Sequence, residues 1–148
     1  MESAKFTLNE LLVELFNHIL ILEEKNLRER GVHLTMSEVH TLENIRKSKS
    51  KTMSDVAKKL LVTQGTLTVA INRLVKKGYV TRTKDEHDKR IVRLGLTEKA
   101  DSVMVVHDAF HEEMIDSMIT DMNIDEDKNL LNSLRRVMDY FKQNYEDQ

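Results

Sequence analysis

Residues 63–78 read TQGTLTVAINRLVKKG, and the two sides of this segment ask for different neighbours. Leu67, Ala70, Ile71, Leu74 and Val75 recur at i, i+3, i+4, i+7 and i+8, which predicts a helix with one buried stripe. The other side carries Gly65, Thr66, Val69, Asn72, Arg73 and Lys76. Small, hydrogen-bonding and basic groups in a row, with a bare valine among them, describe a contact surface rather than a core face.

The flanking segments say what surrounds it. TMSD at 52–55 opens a preceding helix with Met53, Val56, Ala57 and Leu60 inward, and the link LLVTQG leads to Thr63, the expected N-cap of the 63–78 helix. After Gly78 the period changes from 3.6 to 2 in YVTRTK, followed by the polar turn DEHD and then KRIVRLGL, so a β-hairpin is predicted. Two short helices on a tight link, the second with a polar-basic outer face, followed by a basic hairpin, make a winged helix-turn-helix.

Residues 7–30 predict a helix closed by Gly31. Its apolar positions Leu8, Leu11, Leu12, Leu15, Phe16, Ile19, Leu20 and Leu22 cover more than one stripe. TMSE at 35–38 is a Thr-x-x-Glu capping box opening a helix with Val39, Leu42 and Ile45 inward. Thr97 caps a long helix reaching about Thr120, with Ala100, Val103, Val106, Phe110, Met114 and Met118 inward. A last helix, about Asp125 to Tyr145, shows Leu130, Leu134, Val137, Met138 and Phe141. The fold class is mainly α with a small β-hairpin wing, in the order α-α-α-α-β-β-α-α. Residues 35–96 are expected to form the winged helix-turn-helix lobe, flanked by the helical segments 1–34 and 97–148, all within one compact unit.

The absence of proline and the presence of only four glycines favour long helices. No cysteine means no disulfide frame, no thiolate metal site and no thiol oxidation sensor. The apolar cluster at 11–22 is interrupted by Glu14, Asn17 and His18 and is too short to span a bilayer, and no secretory pattern opens the chain; a cytoplasmic protein is expected. The net charge of −2 conceals a segregation: residues 46–93 hold fourteen Lys and Arg against four Asp and Glu, leaving −12 on the rest. A basic block of this kind suits a polyanion, because neutralised phosphates release condensed counterions.

Double-stranded DNA is therefore the expected partner. Thr66, Asn72 and Arg73 are candidates for base edges or phosphates in the major groove, and Val69 for a thymine methyl. Gly65 permits close backbone approach, and the first-turn amides near Thr63 and Gln64 suit a phosphate oxygen. Thr68 joins this set, and Lys76 is assigned to phosphate. In the hairpin, Arg82, Lys84, Lys89 and Arg90 supply charge, with a long arginine reaching a narrow minor groove. Asp85 or Asp88 is expected to orient a neighbouring arginine.

The run from TMSDVAKKL through TQGTLTVAINRLVKKGYVTRTKDEHDKRIVRLGLTEKA resembles the MarR family of winged-helix transcription regulators, with DKRIVRLGLT at 88–97 as its most specific part. The resemblance implies that Asp88 and Arg90 form the wing's Asp-x-Arg signature, the aspartate bracing an arginine that enters the minor groove. It also implies that 35–96 is the DNA-binding lobe and that 1–34 and 97–148 are the dimerisation helices of an intertwined homodimer, which accounts for the surplus apolar face of residues 8–22, and it implies a palindromic operator. FNHILILEEKNLR at 16–28, SEVHTLENI at 37–45 and VTQGTLT at 62–68 look like the fatty-acid-biosynthesis repressor branch. That likeness implies long-chain acyl-acyl-carrier protein as the effector; apolar phase alone then names Leu20, Leu42, Ile45, Val103 and Phe110 as candidate walls of its pocket, and Arg28 and Arg30 are candidate contacts to the carrier.

The alternative signal is a metal ion or a small aromatic ligand. His107 and His111 stand four apart on one helix beside Glu112, and His18, His33 and His40 are further candidate ligands. No cofactor is expected. Serine, histidine and aspartate occur in no nucleophile elbow, P-loop or HExxH motif, so catalysis is not expected either. A helical module for protein partners is the remaining alternative, separable by whether duplex binding exists and weakens with salt.

Overall fold

The computed structural model describes residues 3–145. Helix α1 (Ala4–Asn9) passes through a π-helical stretch (Glu10–Leu15) into α2 (Phe16–Glu29). Then follow α3 (Met36–Lys47), α4 (Met53–Leu60), α5 (Gln64–Lys76), strands β1 (Val80–Lys84) and β2 (Val92–Leu96), α6 (Glu98–Met122), a 3-10 turn (Ile124–Glu126) and α7 (Lys128–Tyr145). The chain forms two compact units, Met1–His107 and Asp108–Gln148.

Local chemistry explains most boundaries of the first unit. Thr35 and Glu38 form the reciprocal capping box at the start of α3, the Glu38 amide donating to the Thr35 hydroxyl at 3.2 Å and the Thr35 amide to the Glu38 carboxylate at 3.0 Å. Thr52 and Thr63 cap α4 and α5 through their hydroxyls alone, accepting from the amides of Asp55 and Thr66. Each such cap is worth about 1 kcal/mol against alanine. Helix α4 ends on Leu61 in the left-handed conformation, φ 56°, where glycine is the usual residue. Gly78, at φ 84°, turns the chain from α5 into the hairpin.

The core of this unit draws on α2 to α6 and the hairpin: Leu27 of α2, Val39, Leu42 and Ile45 of α3, Val56 of α4, Leu67, Ile71 and Leu74 of α5, Val80 and Leu94 of the hairpin, and Ala100, Val103 and Met104 of α6. Leu42, Ile45, Ile71 and Leu74 are wholly buried. Truncating such a leucine to alanine costs about 2–5 kcal/mol.

The hairpin is antiparallel with Val80 opposite Leu96, Arg82 opposite Leu94 and Lys84 opposite Val92. Its second strand begins at Val92 rather than at Lys89, so Lys89, Arg90 and Ile91 belong to the loop. Asp85 causes this: its carboxylate accepts from the amides of His87 and Asp88, both at 3.0 Å, and its own amide donates to the Ile91 carbonyl at 2.9 Å. The second strand also acquires an unforeseen neighbour, because Thr52 bridges to Arg93 and the Leu94 amide donates to the Lys51 carbonyl at 2.7 Å.

In the second unit none of the described side chains is buried. Met118, expected inward, is exposed, as are Ile115, Ile119 and Met122 on the same helix and Leu130, Leu134, Met138 and Phe141 on α7. Leu8, Leu11, Leu12, Leu15 and Phe16 at the other end of the chain are exposed as well. Among the described residues no helix is long and apolar enough to cross a membrane.

Candidate nucleic-acid interface

Helix α5 sorts its two sides as the periodicity requires. Leu67, Ile71 and Leu74 are buried, Ala70 and Val75 half-buried, and Gly65, Thr66, Val69, Asn72, Arg73 and Lys76 exposed. Val69 shows 54% of its surface, which no packing argument explains in a chain with a core available. The Thr63 hydroxyl accepts from the Thr66 amide at 3.1 Å and donates to the Thr66 hydroxyl at 3.0 Å, and the Thr68 hydroxyl donates to the Gln64 carbonyl at 2.8 Å, so the exposed Thr66 keeps its proton as a donor and Thr68 its lone pairs as acceptors. A Cβ built on Gly65 would meet only the Thr63 hydroxyl, 3.9 Å away. Nothing inside the protein requires glycine there.

Asn72 does not stand alone. Its side-chain oxygen accepts from the Arg82 guanidinium at 2.6 Å, which ties the outer face of α5 to β1. Sequence separates these residues by ten positions and assigns them independent contacts; the structure joins them in one polar unit.

The hairpin loop is organised by its two aspartates. Arg90 donates its backbone amide and Nε to one oxygen of Asp88 and Nη2 to the other, each at 3.0 Å. The arginine side chain is 91% exposed and the aspartate 36%, so the fork is held in solvent with its remaining donors free to reach outward. This is the brace implied by the Asp-x-Arg resemblance. The Arg90 bond holds the Asp88 carboxyl below the usual carboxylate range, and Asp88 in turn raises the arginine. Asp85 is lowered by the Asp88 amide first and then by Arg93, whose Nε lies 2.9 Å from it. Lys84 and Lys89 are exposed on the same hairpin.

Between the starts of α4 and α5 and the hairpin lies a groove of about 590 Å³, lined by Thr52, Met53, Ser54, Gln64, Thr68, Arg82, Arg90, Ile91 and Val92. It gathers the first turn of α5, two wing arginines and the first turn of α4. The α4 contribution was missed by sequence reasoning, although the TMSD cap that frees amides at a helix start was the available signal.

A second groove of about 350 Å³ opens among α2, α3 and α5. Phe16 and Leu20, Met36 and His40, Leu60 and Val62 line it together with Thr66, Leu67 and Ala70 of α5. Of the expected effector walls, Leu20 lies here. Leu42, Ile45 and Val103 lie instead in the closed core, because apolar phase alone does not distinguish a cavity wall from packing; Phe110 is a half-buried residue of the second unit. Arg28 pairs with Glu24 at 2.7 Å and Arg30 reaches Asn26 at 3.5 Å on their own helix.

Of the candidate metal ligands, His107 is buried at 2% exposure and His40 places its ring 6.4 Å from it. Glu23, also at 2%, brings a carboxylate oxygen within 4.8 Å of a His107 ring nitrogen. Glu23 was not anticipated, since an acid in an apolar helix carries no local signal of burial. His111 stands one turn beyond His107 on α6, and Glu112 is exposed.

Residues 34–92 match the MarR family. The transcriptional regulator AdcR of Streptococcus pyogenes serotype M6 is 32% identical over 115 residues, covering 74% of this chain and 78% of that protein. The chain belongs to the MarR family. A crystal structure of Streptococcus pneumoniae FabT in complex with DNA aligns with a TM-score of 0.84 at 34% identity, covering 94% of this chain and 98% of that one. The regulator SarZ of Staphylococcus haemolyticus is 30% identical over 86 residues, a match spanning 57% of SarZ. Its relatives are named as transcriptional regulators and FabT was seen bound to DNA; the chain is a transcriptional regulator of the MarR type.

Proposed function

We propose that this MarR regulator represses fatty-acid-biosynthesis genes by binding a palindromic operator as a homodimer, with long-chain acyl-acyl-carrier protein as corepressor. The observation that carries the reading is the apolar groove of about 350 Å³ whose walls include Thr66 and Leu67 of the recognition helix. An acyl chain lodged there touches the DNA-reading element directly. It strengthens DNA binding only by preferring the DNA-competent arrangement, tenfold preference corresponding to about 1.4 kcal/mol. The likeness to FabT supports the same branch that the segments at 16–28, 37–45 and 62–68 resemble.

On this reading Gln64, Gly65, Thr66, Val69 and Arg73 face the major groove, Thr63, Thr68 and Lys76 its flanking phosphates, and the Asn72–Arg82 pair holds α5 to the wing. Lys84, Lys89 and the Asp88-braced Arg90 serve the minor groove. The exposed apolar residues of the first fifteen positions and of α7 support dimerisation, since surfaces of this kind mark association. Two-fold symmetry then sets half-sites about 34 Å apart.

The test is fluorescence anisotropy of a labelled fatty-acid-synthesis promoter duplex at fixed salt, with acyl-acyl-carrier protein, the carrier without its acyl chain, or neither. Tighter binding with the acylated form alone is expected. Equal binding in all three removes the corepressor and leaves the DNA reader. In that case the buried Glu23–His107 pair, with His40 nearby, favours a metal signal. Zinc titration by calorimetry tests it, with His107→Ala expected to abolish binding and retained binding refuting it.

A further inference from the structure

We infer that Lys51, which the DNA reading does not use, is a positioning residue that holds the wing against the helix-turn-helix. The inference rests on the wing being part of the DNA-reading surface. Lys51 adopts φ 56° although it is not glycine. That conformation turns its side chain back under the end of α3, where Nζ donates to the carbonyls of Ile45 at 3.0 Å, Arg46 at 3.2 Å and Ser48 at 3.2 Å. An ammonium has three protons, and all three meet acceptors at the negative end of a helix.

The same residue's backbone faces two other elements. Its amide donates to the Ser48 hydroxyl at 3.0 Å, and that hydroxyl donates to Asp55 of α4 at 2.6 Å. Its carbonyl accepts from the Leu94 amide of β2 at 2.7 Å. One residue to either side, the Ser50 carbonyl accepts from Arg93 Nη1 at 2.7 Å and Thr52 bridges to Arg93. Arg93 then reaches Asp85, which orders the loop carrying Arg90. A chain of bonds therefore runs from the Lys51 ammonium through the 48–52 turn to the wing tip. A surface lysine serving only as a phosphate contact has no reason to spend its donors inward.

The experiment combines a double-mutant cycle with hydrogen exchange. Lys51→Met and Arg90→Ala, singly and together, are titrated by anisotropy against a fluorescein-labelled duplex selected from a random pool by the wild-type protein. Lys51→Met should weaken binding about 10-fold alone but less than about 2-fold in the Arg90→Ala background, as expected for residues of one network. Where Arg90→Ala itself weakens binding, equal losses in both backgrounds would make Lys51 an independent phosphate contact and overturn the inference, as would no loss at all. Without DNA, the Leu94 amide should exchange faster in Lys51→Met while Ile71 and Leu74 stay protected. If Arg90→Ala alone changes nothing, the DNA role of the wing fails, yet exchange at Leu94 still decides whether Lys51 holds the strand. Should Lys51→Met not fold, Lys51→Gln, which keeps one amide donor group, takes its place in both measurements.

Discussion

Gly65→Ala is expected to make this protein more stable and a poorer DNA binder at the same time. Gly65 is the second residue of α5 and does not lie in the left-handed region, so alanine adopts its backbone without strain. The new methyl meets nothing closer than the Thr63 hydroxyl at 3.9 Å, an ordinary contact. Replacing glycine by alanine inside a helix gains up to about 1 kcal/mol; at this first-turn position, where fewer bonds constrain the backbone, about half of that is expected. For a chain of this size the gain corresponds to a rise in Tm of roughly 1–2 °C. Among the described residues nothing else stands within 4 Å of that methyl, so on the proposed reading it is the duplex that it would meet. If the backbone at Gly65 lies against it, a methyl there forces the helix outward and lengthens the contacts of Thr66 and Val69, for a loss of about 10-fold or more in line with one contacted step. Differential scanning fluorimetry and anisotropy on one preparation measure both quantities. Raised Tm with unchanged or tighter DNA binding would refute close approach at Gly65. A lowered Tm would refute the claim that the protein interior leaves room there.

Other substitutions separate the roles assigned to the interface. Asp88→Ala removes a negative charge from the proposed DNA-binding face, so simple electrostatics predicts tighter binding; loss of the brace predicts instead about 2- to 10-fold weaker binding, because a rotamer-rich arginine must then be ordered on the duplex, and anisotropy gives the sign. Val69→Ala should relax base preference by about 1–3 kcal/mol at one step of a systematic operator mutation series; unchanged selectivity would remove Val69 from the reading face. The carboxyls of Asp85 and Asp88 are held low, by the Asp88 amide and by Arg90 respectively, so both stay ionised through the neutral range. Their ordering of the wing loop is present above the ordinary aspartate value, about 3.9, and is lost only as pH falls through the lower folded values. Backbone amide shifts of Asp88 and Arg90 should therefore hold constant down to about pH 4, and a midpoint near neutrality would contradict the assignment.

The parts of the fold that were legible in advance are those governed by neighbours three or four residues apart. Thr35, Thr52, Thr63 and Thr97 each sit where a hydroxyl or carboxylate satisfies an amide of the next turn, and the structure places a helix start at all of them. The two faces of α5 follow from the same short range. So does the Asp88–Arg90 brace, which spans two residues and is implied by the family likeness as much as by chemistry. The π-helical stretch at Glu10–Leu15 had no such signal, because its apolar residues read equally well as α-helix.

What tertiary structure alone decided lies between residues far apart in the chain. Arg82 finds Asn72 across ten positions, Lys77 finds Glu38 across 39, and Arg93 finds the Ser50 carbonyl across 43. Leu20 lines a groove while Leu42 and Ile45, equally apolar and equally in phase, fill the core. Glu23 is buried although its type favours solvent, and so is His107, whose type is found on either side. The sequence by itself determined a winged helix-turn-helix with a basic, outward-facing α5, since periodicity and caps are properties of a segment. Which polar groups meet, which apolar groups leave a space, and how the wing is tied to the helices depend on where whole elements come to rest, and no local pattern encodes that.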